Sequence, residues 1–163
     1  MNEHKVDRSG WEPGPWDGEP DKVNWTTEAG LPGMIVRNGA GALCGYVAVT
    51  KGHPWFGVKY GYQDGCPDSM VQVHGGLTYS EKCAGAICHV PKDGEEDDVW
   101  WFGFDCNHSG DLAPGRGVNP MRMLYGLFGS DDFSSRYDGE YRTVDYVRGE
   151  VESLAKQIAK AAA

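Results

Sequence analysis

The chain has 163 residues and a formal net charge of −9, with 40% hydrophobic residues, 24 glycines, 9 prolines and six tryptophans. That length matches one domain with enough apolar material for a core, and the acidity excludes a general nucleic-acid binder, which needs a basic stripe to displace counterions. No stretch approaches the roughly 18 apolar residues of a membrane span, and Met1 to Lys5 shows no apolar signal-peptide core, so a cytoplasmic protein is expected.

Residues 1–33 read as a tryptophan-rich extended arm, with Trp11, Trp16 and Trp25 among Pro13, Pro15, Pro20 and Pro32. The prolines speak against helix, and the indoles call for burial against the domain surface. Residues 34–106 read as the sheet. Met34 to Arg37 and Leu43 to Thr50 form a hairpin across the Asn38-Gly39 turn signal. The second of these strands is apolar on both faces and is placed centrally. Ser69 to Val73 and Ala86 to Val90 read as further strands. Val99 to Cys106 is the clearest, with Trp100, Phe102, Phe104 and Cys106 on one face and Trp101, Gly103 and Asp105 on the other.

Residues 107–140 read as a long loop, with an apolar or helical patch at Met121 to Phe128. The final segment, 141–163, reads as a helix, because Val144, Val147, Val151, Leu154 and Ile158 recur in steps of three and four. The expected fold is therefore α+β: a curved antiparallel sheet of about five or six strands with one C-terminal helix packed on it.

Five cysteines, Cys44, Cys66, Cys83, Cys88 and Cys106, are an odd count, and reduced thiols are expected. Cys83 and Cys88 have no second pair to complete a zinc site. The acidic run Asp93 to Asp98 reads as a solvated turn, since it lacks the alternating ligands of a calcium loop.

Two polar clusters stand out: His74-Gly75-Gly76-Leu77-Thr78 and Asp105-Cys106-Asn107-His108-Ser109-Gly110-Asp111. If His74 and Asp105 end neighbouring strands, a histidine and a carboxylate converge beside glycines that open backbone to a ligand. His74, Asp105, His108 and Asp111 are the catalytic candidates if the protein is an enzyme, a histidine being oriented by a carboxylate for hydrolysis. The same four offer a mixed set for a divalent metal, but their spacing is no recognised ligand signature, and neither metal nor cofactor is expected. Cys106 faces the core by parity, against its use as a nucleophile. The plain alternative is that these side chains cap loop backbone.

Aromatic residues on the loops (Trp55, Phe56, Tyr60 and Tyr62 on one, Tyr125, Phe128 and Phe133 on another) suit a planar ligand, and Arg116, Arg122, Arg136 and Arg142 suit its phosphates. Packing beneath long loops accounts for the same aromatics. The candidate ligand-binding set is His53, His74, Gly75, Gly76, Thr78, Trp101, Asp105, His108 and Arg116.

Several segments carry a resemblance. Gly14-Pro15-Trp16-Asp17-Gly18-Glu19-Pro20-Asp21-Lys22, Leu43 to Val49, Gly52-His53-Pro54, Val73 to Tyr79, Phe102 to Asp111, and Tyr141-Arg142 with Tyr146-Val147-Arg148 and Glu150 resemble a family of uncharacterised bacteriophage and prophage proteins. The resemblance spans nearly the whole chain, with Leu112 to Asp138 longer than its counterpart. It implies a phage origin and a role inside an infected cell. By analogy with phage accessory proteins, the expected function is binding a nucleotide-like defence signal of the host. A hydrolase of such a ligand, and a module that blocks a host protein, are the alternatives. A second copy of the chain is also admitted as a partner.

Overall fold

The computed structural model describes residues 3–61, 64–89, 91, 93–94, 97–117 and 139–163. Its centre is an open, curved five-stranded antiparallel sheet in the order β1-β2-β3-β5-β4. The strands are β1 (Lys22–Thr26), β2 (Pro32–Arg37), β3 (Leu43–Thr50), β4 (Tyr79–Lys82) and β5 (Val99–Asp105). A four-residue helix, α1 (Pro67–Met70), and the C-terminal helix α2 (Val144–Ala161) complete the regular structure. The α+β architecture is as the sequence predicts.

β3 sits at the centre of the sheet, as its two-sided apolar run requires, with Leu43 to Val49 all buried. The hairpin from β2 to β3 closes through Asn38, whose amide donates to the Ala42 carbonyl at 2.9 Å. The Asn38 Oδ1 accepts the Ala40 and Ala42 amides, both at 3.0 Å, so its side chain organises a loop longer than a two-residue turn.

Parity along β5 is as predicted. Trp100, Phe102, Phe104 and Cys106 join the core under α2, while Val99 and Trp101 join a second cluster on the opposite face. Helix α2 contributes Val147, Val151, Leu154, Ala155 and Ile158, each 0% exposed. Burying each of the branched members contributes roughly 1.5–3 kcal/mol, which is why the helix lies where it does. It comes close because β3 has glycine beneath it: a Cβ on Gly45 would stand 2.7 Å from Val151 Cγ2. Thr143 caps its first turn, accepting the Tyr146 amide at 3.2 Å.

Four sequence expectations are corrected. The N-terminal arm is not irregular throughout. Pro15–Gly18 is a 3-10 turn, with proline at the first position where its missing N–H costs nothing, and Lys22–Thr26 is an edge strand. The stretch Ser69 to Val73 is no strand, because Pro67 starts a helical turn there. The Ala86 to Val90 strand reduces, within the described residues, to one bridge between Ala84 and Ile87, and β4 forms earlier, at Tyr79–Lys82. Finally, the cysteines are not all reduced: Cys83 and Cys88 form a disulfide, leaving Cys44, Cys66 and Cys106 free. The Met121 to Phe128 patch, and Tyr62, Tyr125, Phe128, Phe133, Arg122 and Arg136, lie outside the described residues.

No helix among the described residues is long and apolar enough to cross a membrane.

The GPWDGEPDK segment has a structural role that the sequence does not disclose. Arg37 is 0% exposed, and its guanidinium donates to Asp21 Oδ1 at 2.9 Å, the Gly41 carbonyl at 2.9 Å and Tyr141 Oη at 2.7 Å. Glu19 approaches the same guanidinium at 3.6 Å, and Arg8 pairs with Asp21 from outside. Trp16 is buried edge-on against Tyr141 at 5.1 Å between ring centroids. A buried cation needs such partners, and two come from this motif.

Candidate functional site

The residues Gln72 to His74 lie alongside α2 and are held there by its side chains. Gln157 accepts the Gln72 amide at 2.7 Å and donates to the Gln72 carbonyl at 2.8 Å. Glu150 accepts the His74 amide at 3.0 Å. Two glycines then reverse the chain: Gly75 has φ +69 and Gly76 φ +80, both in the left-handed region that favours glycine. Asp68 of α1 accepts the Leu77 amide at 2.7 Å and closes the reversal.

The second cluster follows β5. The His108 carbonyl accepts the Asp111 amide at 3.0 Å, and Asp111 Oδ2 accepts the His108 amide at 3.1 Å, so the turn locks itself. Asp111 also makes the partnership at the centre of the site. Its Oδ2 lies 2.8 Å from His74 Nε2, and its Oδ1 accepts Arg142 Nε at 3.0 Å. The other ring nitrogen, His74 Nδ1, lies 2.8 Å from Tyr146 Oη. A carboxylate only accepts, so Nε2 carries its proton toward Asp111, while Nδ1 and the Tyr146 hydroxyl share the second hydrogen bond.

Burial by itself raises the Asp111 pKa, but hydrogen bonds from His74, Arg142 and the His108 amide win and hold it below the usual carboxylate value. Burial, seconded by Glu150, raises the Tyr146 phenol, which keeps its proton. Burial likewise pushes the Cys106 thiol up, with Asp111 adding to the effect. Cys106 sits in the core as a thiol and is no activated nucleophile.

The predicted convergence of His74 with Asp105 is therefore corrected: the carboxylate partner of His74 is Asp111. His74 is not on a strand, so strand parity does not govern where its ring goes. Asp105 instead accepts the Thr78 hydroxyl at 3.0 Å and the Asn107 amide at 3.0 Å. His108 belongs with Asp105, its Nε2 lying 3.4 Å from Asp105 Oδ1. The two histidine rings are 6.1 Å apart, so both sequence clusters meet. Gly75 makes that meeting feasible, since a Cβ there would stand 2.2 Å from His108 Nε2. Arg116 lies on the 3-10 turn Pro114–Gly117 and donates to the Asn107 carbonyl at 2.7 Å.

Two members of the predicted binding set lie elsewhere. His53 Nε2 bonds to the Ile158 carbonyl at 2.8 Å, and its Nδ1 accepts the Trp55 amide at 3.0 Å, fastening the end of α2. Trp101 is 0% exposed on the far face of the sheet. The aromatic residues Trp55, Phe56 and Tyr60 pack against the α2-side core. The metal set weighed in the sequence is not assembled either: among the described residues no three His, Cys, Asp or Glu side chains are grouped to hold an ion.

Sequence reasoning missed Tyr146 and Glu150 as members of the site and assigned Arg142 to phosphate. The signal was there: Tyr146 and Glu150 are four residues apart on α2, a polar pair beside its apolar stripe, and Arg142 lies four residues earlier, just ahead of the Thr143 cap. Comparison with protein-family models, with curated proteins and with solved structures finds no match to this chain.

Proposed function

We propose that the protein binds a small, nucleotide-like molecule and holds it intact. The observation that carries this is the contrast between its two neighbouring histidines. His74 has both ring nitrogens occupied, by Asp111 and Tyr146 at 2.8 Å each. A general base needs a nitrogen to receive the substrate proton, and His74 has one only by breaking a buried contact. His108 Nε2 is buried 3.4 Å from Asp105 Oδ1 without forming a hydrogen bond among the described residues, and the adjacent buried Asn107 Oδ1 likewise has no hydrogen bond among them. Such atoms cost about 1–3 kcal/mol each when left unmet, and they mark where a ligand or water completes the structure.

The ligand class follows from the groups at this corner. Asn107 Oδ1 accepts, His108 Nε2 accepts or donates, and the two together suit the edge of a nucleobase. Arg116 is exposed and its Nη2 donates to the Asn107 carbonyl; a guanidinium carries further donors that suit a phosphate. The resemblance to phage proteins supports a phage origin, action in the cytoplasm of the infected cell, and sequestration of a nucleotide-type defence signal.

Hydrolysis is the second reading, favoured by one feature. The chain Asp111–His74–Tyr146 has the form of an orienting carboxylate, an imidazole and a hydroxyl.

The test is incubation of the purified protein with a panel of cyclic and ADP-ribose-type nucleotides, with chromatography before and after heat denaturation. Depletion from solution followed by intact recovery establishes binding. His108→Ala and Arg116→Ala then weaken it by about 10–100-fold each, the worth of one charged hydrogen bond. Conversion to a new product replaces this reading with the hydrolase. No depletion and no product across the panel removes both, and a host protein becomes the partner to seek.

A further inference from the structure

The sheet face turned away from α2 is also apolar, and no helix among the described residues covers it. Met34, Ala48 and Trp101 are 0% exposed there. The cover includes Tyr79 together with Cys83, Ala86 and Ile87, and the last three belong to one short segment that leaves edge strand β4. This segment folds back on itself: Ala84 and Ile87 exchange both backbone hydrogen bonds, each 3.0 Å. The Cys83–Cys88 disulfide closes the ring behind that bridge. At one end the Trp101 indole N–H donates to Cys83 Sγ at 3.4 Å. At the other, Lys22 of the opposite edge strand β1 donates to the Cys88 carbonyl at 2.8 Å. The segment is a short disulfide-closed strap on this face, its two cysteine Cα atoms 4.5 Å apart, tied by one side chain from β5 and one from edge strand β1.

We propose that Cys83–Cys88 is a reversible thiol–disulfide site whose reduction releases this strap and uncovers the second apolar face. Both cysteines are half-buried, and the neighbouring Lys82, Ala84 and Gly85 are exposed, so a small dithiol reaches the bond. One thiolate of the dithiol attacks Cys88 Sγ. The S–S bond breaks, and its electron pair leaves on Cys83 Sγ, which the Trp101 N–H stabilises before it takes a proton. The reductant's second thiol then attacks its own sulfur in the mixed disulfide and expels Cys88, which also takes a proton. In sum, two electrons and two protons pass to the cysteines, and the dithiol becomes a cyclic disulfide. A disulfide oxidant reverses the exchange.

Opening matters because the strap has, among the described residues, a single backbone bridge of its own. A hairpin with one bridge does not persist in water without additional support. A disulfide in a chain otherwise holding free thiols fits a labile, regulatory bond better than a fixed framework.

The experiment uses the full chain. Thiols titrated in denaturant number three for the oxidised protein (Cys44, Cys66 and Cys106) and five after dithiol treatment. Under native conditions, reduction raises binding of an apolar-surface dye and speeds tryptic cleavage after Lys82 several-fold, and oxidised glutathione reverses both. The C83S/C88S variant shows the open-state signals with or without dithiol; should it not fold, the wild-type titration gives the same readouts. Five thiols in the air-oxidised protein, or a change from three to five with dye binding and cleavage unaltered, overturns the proposal.

Discussion

Glu19 accepts the Val144 amide at 2.6 Å, so a carboxylate from the N-terminal segment sits on the first turn of a helix that begins 125 residues later. The other carboxylate oxygen takes the Tyr141 hydroxyl at 2.5 Å. One side chain thus satisfies an orphan N–H of α2, places a negative charge at the positive end of the helix and holds the tyrosine that packs on Trp16. The Gly14 to Lys22 segment is, in this fold, a fastening for the helix that contributes Tyr146 and Glu150 to the His74 site.

Glu19→Ala is predicted to destabilise the protein by about 2–4 kcal/mol, since it strips a partner from buried Arg37 and uncaps α2 together. Urea unfolding followed by far-UV circular dichroism measures it. Glu19→Gln retains an acceptor but loses the charge, and is predicted to fall between the two. Equal stability of Ala and wild type would show the fastening to be inert.

Gly75 and Gly76 separate steric from conformational cost. Both have positive φ, so alanine is strained at either position. Only at Gly75 does the new Cβ strike a neighbour, 2.2 Å from His108 Nε2; at Gly76 the nearest atom is Asp68 Oδ1 at 3.2 Å. Gly76→Ala is predicted to cost about 1 kcal/mol, and Gly75→Ala at least twice that. Thermal melts give the order. Gly75→Ala also displaces His108, so it weakens ligand binding more than Gly76→Ala does in the nucleotide assay.

Acid sensitivity follows from Asp21 and Asp111. For each, burial pushes the pKa up. Hydrogen bonds from the Val6 amide, Arg8 and Arg37 at Asp21, and from His74, Arg142 and the His108 amide at Asp111, outweigh it, so both lie below the ordinary 3.8. A depressed carboxylate contributes stability that is fully present above its unfolded pKa and is lost as pH falls through its folded one. These two contributions are accordingly complete above about pH 5 and are withdrawn below about pH 4. The urea midpoint, followed from pH 6 to pH 3, is predicted to fall steeply in that last interval. Asp21→Asn and Asp111→Asn start less stable and show a shallower acid slope; an unchanged slope in both variants would remove these carboxylates as the cause.

Where local chemistry decides, the sequence was sufficient. The period of Val144 to Ile158 predicts α2, because only one helical face of that segment buries apolar surface. Alternation through Val99 to Cys106 assigns the two faces of β5, and the two-sided run of β3 places it centrally. Local chemistry also misled: four prolines conceal a strand at Lys22–Thr26, whose hydrogen bonds are made only when β2 arrives beside it. The His74 and Asp111 clusters were legible as polar segments next to glycines. Their pairing was not, since it depends on a non-strand segment that α2 holds in place through Tyr146, Glu150 and Gln157. The same holds for the Cys83–Cys88 bond and for Arg37, a buried arginine in an apolar strand. Composition and periodicity determine which residues seek burial, but the partner of a buried charge, a ring nitrogen or a thiol is chosen by which distant segments the fold brings within hydrogen-bond reach.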